Sequence, residues 1–145
     1  QALHRLTPLM SLSGRCLCGL VHYRVDGTPK TILNCHCDFC RRMSGAPLSS
    51  YVVVLDRELE VTQGADHLRD YAATDNATRY FCATCSTPLF NRNVVYSGLA
   101  MLYLGALDDG PALAPTRNIY RESRLPWIDS VAELVHFERE YVRTP

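Results

Sequence analysis

Seven cysteines fall into three tight clusters: Cys16-Leu17-Cys18, then Cys35-His36-Cys37-Asp38-Phe39-Cys40, then Cys82-Ala83-Thr84-Cys85. In the first, the sulfurs lie two residues apart, a spacing that puts both on one face of a strand. In the third, the two-residue gap is that of a metal knuckle, where a tight turn brings both thiolates to one side. The middle cluster combines both spacings and offers three thiolates from six residues. Soft thiolates in a tetrahedron suit zinc or iron. Two outer pairs, Cys16 with Cys18 and Cys82 with Cys85, make one closed four-thiolate site. Cys35, Cys37 and Cys40 remain for a second ion that keeps a position open for water or substrate, the arrangement of catalytic zinc. Another division pairs one outer cluster with Cys35 and Cys37, but it leaves an incomplete remainder. His36 could complete the second site, yet on an extended segment it points away from Cys35 and Cys37.

Other readings of the cysteines carry less. Free cysteine is often a small core residue, but seven in three clusters is not that pattern. Cys82-x-x-Cys85 alone could be a redox motif, but no βαβ pattern surrounds it. An odd number of cysteines leaves one over if all pair as disulfides, and residues 1–10 lack a secretory pattern. A reduced, cytoplasmic setting with metal-bound thiolates is therefore expected. The chain opens on Gln1, so residues 1–10 are read as a leader, with Met10 an alternative start, and 11–145 as one domain.

Short strands must carry these clusters. Val21, Tyr23 and Val25 alternate with His22 and Arg24, the period of a half-buried strand. Thr31-Ile32-Leu33 starts a strand that runs into Cys35. Leu48–Leu55 is β-branched and aromatic, and Leu59 with Val61 suggests a further short strand. His67–Ala73 and Ala77–Phe81 form a pair around Thr74-Asp75-Asn76, and Leu99–Leu107 is long enough for a central strand. Helix signals are few. Phe39–Ser44 suits one turn, and Asp129–Glu140 is the best longer candidate, although it could also be extended. The fold class expected is all-β with little helix.

The 145 residues suffice for one domain, and 47% apolar with 21% charged residues is ordinary for a globular chain. Fifteen basic residues balance fifteen acidic ones, and Lys30 is the one lysine. Bulk electrostatic binding to nucleic acid or anionic lipid is not expected. No apolar run is long enough to cross a bilayer.

Gly14-Arg15-Cys16-Leu17-Cys18-Gly19-Leu20-Val21-His22-Tyr23 resembles the opening motif of the glutathione-dependent formaldehyde-activating (GFA) and centromere protein V family. Cys35–Gly45 is similar to its central motif and Tyr80–Cys85 to its third. Gly105–Asp109 and Ile119–Ile128 resemble its closing segments. The resemblance runs in order over about residues 13–138. It implies a zinc-built, tent-like (Mss4-like) fold of short antiparallel strands. It also implies a structural zinc on Cys16, Cys18, Cys82 and Cys85, and an exchangeable or catalytic zinc on Cys35, Cys37 and Cys40. The implied activity is carbon–sulfur lyase chemistry on S-hydroxymethylglutathione, so a thiol such as glutathione and an aldehyde are the implied partners. Two positions depart from the family pattern. Ser86 stands where glycine is usual, and Asn118 where histidine is frequent.

On the residues alone, an open zinc on three thiolates is expected to bind a thiol and keep it nucleophilic beside a carbonyl. Arg41 and Arg42 are candidates for binding substrate carboxylates. Ser44 and Gly45 are candidate donors to an oxyanion. Trp127 reads as core or pocket wall, His22 as solvent-facing, and Tyr96, Tyr103 and Tyr120 as core or wall. Two competing readings are a non-catalytic zinc-stabilised binding module and a zinc or thiol sensor.

Overall fold

The computed structural model describes residues 11–141; the expected leader, 1–10, lies outside them. Among the described residues ten strands form two sheets. The small sheet has the order β1 (Ser11–Arg15), β2 (His22–Asp26) and β5 (Leu59–Gln63), all antiparallel. The large sheet contains β3 (Thr31–Cys35), β4 (Ser49–Leu55), β6 (Leu68–Ala72), β7 (Ala77–Cys82), β8 (Pro88–Asn93), β9 (Leu99–Tyr103) and β10 (Arg117–Ile119). Its order is β10-β3-β4-β9-β8-β7-β6. One pairing departs from the antiparallel expectation: β10 runs parallel to β3, with Ile119 opposite Cys35. A seven-residue helix, α1 (Asp38–Ser44), follows β3. The all-β expectation is met.

Strand alternation sorts the side chains of the large sheet. Val52 and Val54 on β4, and Ala100 and Leu102 on β9, turn to the small sheet, where Leu12, Val21, Tyr23 and Val25 meet them with Leu89 and Phe90. Tyr51 and Tyr103 have the opposite parity. They pack with Cys35 in a second cluster, flanked by Leu33, Cys37, Cys40 and Met101. The large sheet is thus covered on one face by the main core and on the other by α1 and the middle cysteines.

The C-terminal expectation is corrected. Asp129–Glu140 is not an α-helix: a 3₁₀ helix spans Ile128–Glu133, and Leu134 is already extended. Val131, Leu134 and Val135 are exposed, so no packed face rewards their helical spacing. Trp127 is also half exposed rather than core or wall, as are Tyr96 and Tyr120, whereas Tyr103 is buried. The expected Leu99–Leu107 strand ends at Tyr103, and a 3₁₀ turn takes over at Leu104–Ala106. Among the described residues no helix is long and apolar enough to cross a membrane.

β1 lies so close to β2 that a side chain at Gly14 would land on the Tyr23 ring. Gly14→Ala is therefore expected to lower stability by about 1–3 kcal/mol through overpacking. Urea denaturation checks this, with Ser13→Ala, on the solvent side of the same strand, as the small-effect control.

Candidate metal centres

The first centre is built from two knuckles far apart in sequence. Cys16 N–H donates to Val21 O and Gly19 N–H to Cys16 O, which closes the turn that carries Cys18. Ser86 N–H donates to Cys82 O and Cys82 N–H to Thr87 O, closing the turn that carries Cys85. Leu17 N–H donates to the Thr87 hydroxyl at 3.0 Å and ties the two knuckles together. Backbone N–H groups also point at the sulfurs: Val21 at Cys16 Sγ (3.3 Å) and Thr84 at Cys82 Sγ (3.4 Å). Such donors stabilise thiolate charge. Ser86 takes φ 64°, a left-handed conformation in which its Cβ strains it.

The second centre is local. Cys35 ends β3, and Cys37 caps α1, its sulfur accepting from Cys40 N–H at 3.3 Å. That cap bond folds Cys37 and Cys40 into one turn. At the other end Gly45, at φ 70°, donates to Arg41 O at 2.7 Å and stops the helix. The Ser49 hydroxyl donates to Cys40 O at 2.9 Å and docks α1 on β4.

The sulfurs meet the geometric demand of a soft tetrahedral cation. A tetrahedron with metal–sulfur bonds of about 2.3 Å has edges of about 3.8 Å. Here Cys16 and Cys18 Sγ are 3.4 Å apart, Cys18 and Cys82 3.8 Å, and Cys35 and Cys37 3.5 Å. Within each of the groups Cys16, Cys18, Cys82, Cys85 and Cys35, Cys37, Cys40, all ligand atoms lie within 4.8 Å of one another. Both clusters could hold a metal ion. Before a metal displaces the protons, each cluster shares them unevenly. Its hydrogen bond with Cys40 holds Cys35 down to about 6, and the same bond pushes Cys40 up. Thr87 holds Cys85 down to about 5.

His36 joins neither cluster. It is buried, its Nε2 is 3.0 Å from Asn118 Oδ1, and its N–H donates to Ile119 O. Asn34 donates to the same Asn118 oxygen. Asn118 is therefore part of the seam between β3 and β10. Arg41 crosses that seam, donating to His36 O and Ser123 O, with only 19% of its side chain exposed. Arg42 is 79% exposed and pairs with Asp38 on its own helix at 2.9 Å. The Ser44 hydroxyl donates to Cys40 O, and the Gly45 N–H is the cap bond already described; both have partners inside the protein. His22 is partly exposed, with Nε2 2.9 Å from Gly19 O. A shallow cleft beside α1 is lined by Asp38, Arg41, Arg42, Gly45, Pro47 and Leu125. Sequence reasoning passed over Tyr51, Arg79 and Asn91, which lie on the Cys35 face of the sheet. The signal was the parity of Tyr51 with Ser49, opposite Cys35.

The model of the glutathione-dependent formaldehyde-activating enzyme (GFA) family matches residues 11–123. The chain belongs to the GFA family. A Halomonas elongata protein named "Putative glutathione-dependent formaldehyde-activating enzyme" is 29% identical over 129 residues, 83% of this chain and 81% of that protein. An uncharacterized lyase of Schizosaccharomyces pombe is 27% identical over 77 residues, 53% of this chain and 54% of that one. A Rhodobacter sphaeroides crystal structure superposes with a TM-score of 0.60 at 23% identity, covering 73% of this chain and 98% of its own, and so shares the fold. Family membership supports a lyase-type GFA enzyme.

Relieving the Ser86 strain provides a test of the knuckle. Ser86→Gly is expected to raise stability by up to about 1 kcal/mol, the left-handed strain removed less the added freedom of the unfolded chain. Thermal unfolding of the metal-loaded chain measures it, and Ser86→Val should move the other way.

Proposed function

We propose that this GFA-family chain is a zinc-dependent carbon–sulfur lyase that makes or breaks adducts of a thiol with an aldehyde, of the S-hydroxymethylglutathione kind. One observation carries the reading. The outer cluster brings four sulfurs together, whereas the middle one brings three with no fourth protein ligand among the described residues. In this reading Cys16, Cys18, Cys82 and Cys85 hold a structural zinc, and Cys35, Cys37 and Cys40 hold a catalytic one. Zinc on three thiolates supplies a soft position that accepts a thiol and favours its thiolate form.

The chain's own residues do the rest. β3 and α1 fix the three sulfurs, and Leu33, Tyr51 and Tyr103 wall them off on the sheet side. In the forward direction a sulfur–carbon bond forms as the carbonyl π bond opens, and the thiol proton ends on oxygen; the reverse step returns it. Arg42, in the cleft beside α1, is the candidate for a substrate carboxylate, because an exposed pair with Asp38 exchanges easily. Arg41 supports it by anchoring the segment that borders the cleft. Ser44 and Gly45 shape the helix end there. Family membership and the names of the relatives support glutathione and formaldehyde as the pair.

Two measurements test this. Metal analysis of the loaded chain should give two zinc ions, falling to one in Cys40→Ser with the fold intact, whereas Cys82→Ser should unfold it. Exchange spectroscopy with ¹³C-formaldehyde and glutathione should show acceleration by the chain and none by Cys40→Ser. Arg42→Ala should weaken glutathione by about 2–5-fold and leave 2-mercaptoethanol, which has no carboxylate, unaffected. A loaded chain that accelerates neither direction with any thiol would refute the lyase reading.

A further inference from the structure

On the Cys35 face of the large sheet a row of polar side chains crosses four strands. Arg79 on β7 stands opposite Asn91 on β8, and Asn91 stands opposite Met101, two residues before Tyr103 on β9. Tyr103 stands opposite Tyr51 on β4, their rings 5.1 Å apart. The row ends at the middle cysteines, where Tyr51 packs with Cys35 and Cys40. At the other end Arg79 donates to Met43 O, at the end of α1, at 2.8 Å. The row is therefore roofed by the same helix that carries Cys40.

The hydrogens in this row do not balance. Asn91 Nδ2 donates to Tyr103 Oη at 3.1 Å and to Tyr51 Oη at 3.4 Å. Asn91, only 8% exposed, keeps a buried Oδ1 with no partner, and Arg79 a buried Nε with none. One donor and one acceptor are thus unmet on residues that stand directly opposite each other. Buried polar groups are rarely left so. A carbonyl oxygen would use the donor only. A hydroxyl oxygen would use both, accepting from Arg79 and donating to Asn91.

We propose that Arg79 and Asn91 form a subsite for a hydroxyl oxygen carried close to a sulfur bound at Cys35, Cys37 and Cys40. This inference rests on thiol binding there and extends it. The ligand class is a hydroxyl-bearing thiol, of which the carbinol of an aldehyde adduct is one case.

The test uses the full chain loaded with cobalt(II), whose sulfur-to-metal absorption reports thiol binding without turnover. The probes are 2-mercaptoethanol and 1-propanethiol, which differ by a hydroxyl for a methyl. The unmodified chain should favour 2-mercaptoethanol by about 10-fold, the scale of one buried hydrogen-bonded group. Arg79→Lys and Asn91→Leu should each bring the ratio towards one with 1-propanethiol affinity and cobalt content unchanged. No preference in the unmodified chain, or a preference that survives both substitutions, overturns the subsite and leaves the polar row to a trapped water. Binding of neither thiol overturns both the subsite and the thiol site under it. A preference without any aldehyde–thiol exchange keeps the subsite and refutes the lyase reading.

Discussion

Negatively charged sulfurs a few ångströms apart repel, and the fold must nevertheless bring them together. Two unit charges at about 4 Å oppose each other by about 4 kcal/mol at an effective dielectric of 20. Cys16, Cys18, Cys82 and Cys85 present four such groups from segments more than sixty residues apart. They can share the space protonated, or ionised around a cation, but not ionised alone. The hydrogen bonds into the sulfurs from Val21, Thr84 and Thr87 favour the ionised set. The cross-link between the Leu17 turn and Thr87 holds the knuckles in register for it. Every strand between β2 and β7 lies within the loop that this centre closes.

The middle cysteines solve the same problem differently. Their loop is short, so little chain entropy is lost in bringing them together. The sulfur of Cys37 is at once a cap for α1 and a candidate ligand. Helix and candidate metal site are thus one local structure, docked on β4 by Ser49, on β7 by Arg79 and on the turn that follows β10 through Arg41. The parallel return of β10 places Asn118 against His36 and uses the histidine's Nε2 in the seam, not at the sulfurs.

Much of this was legible in the residues. The cysteine spacings are set by covalent reach, and both groups form as the spacing divided them. The alternation at Val21, Tyr23 and Val25 reports burial directly, and β2 follows it. The turn at Phe39–Ser44 matches α1 to within a residue. What failed depends on contacts distant in sequence. The helical spacing at Val131, Leu134 and Val135 meets no packing surface. Arg41 and Arg42 are neighbours of one type, yet Arg41 is drawn to the Ser123 carbonyl 82 residues on, and no local pattern marks that. Tyr51 read as one more residue of a buried strand; only pairing with β9 reveals that it faces Tyr103 and Asn91.

The two sulfur groups lie on opposite sides of one sheet, and this separation has a consequence for how such a chain can diversify. Residues around α1 can be replaced, lengthened or recharged without touching the clasp behind Val52 and Leu102. A lineage can therefore try new small molecules at one side while the molecule's integrity is guarded by the other, which acts as a bulkhead between experiment and survival.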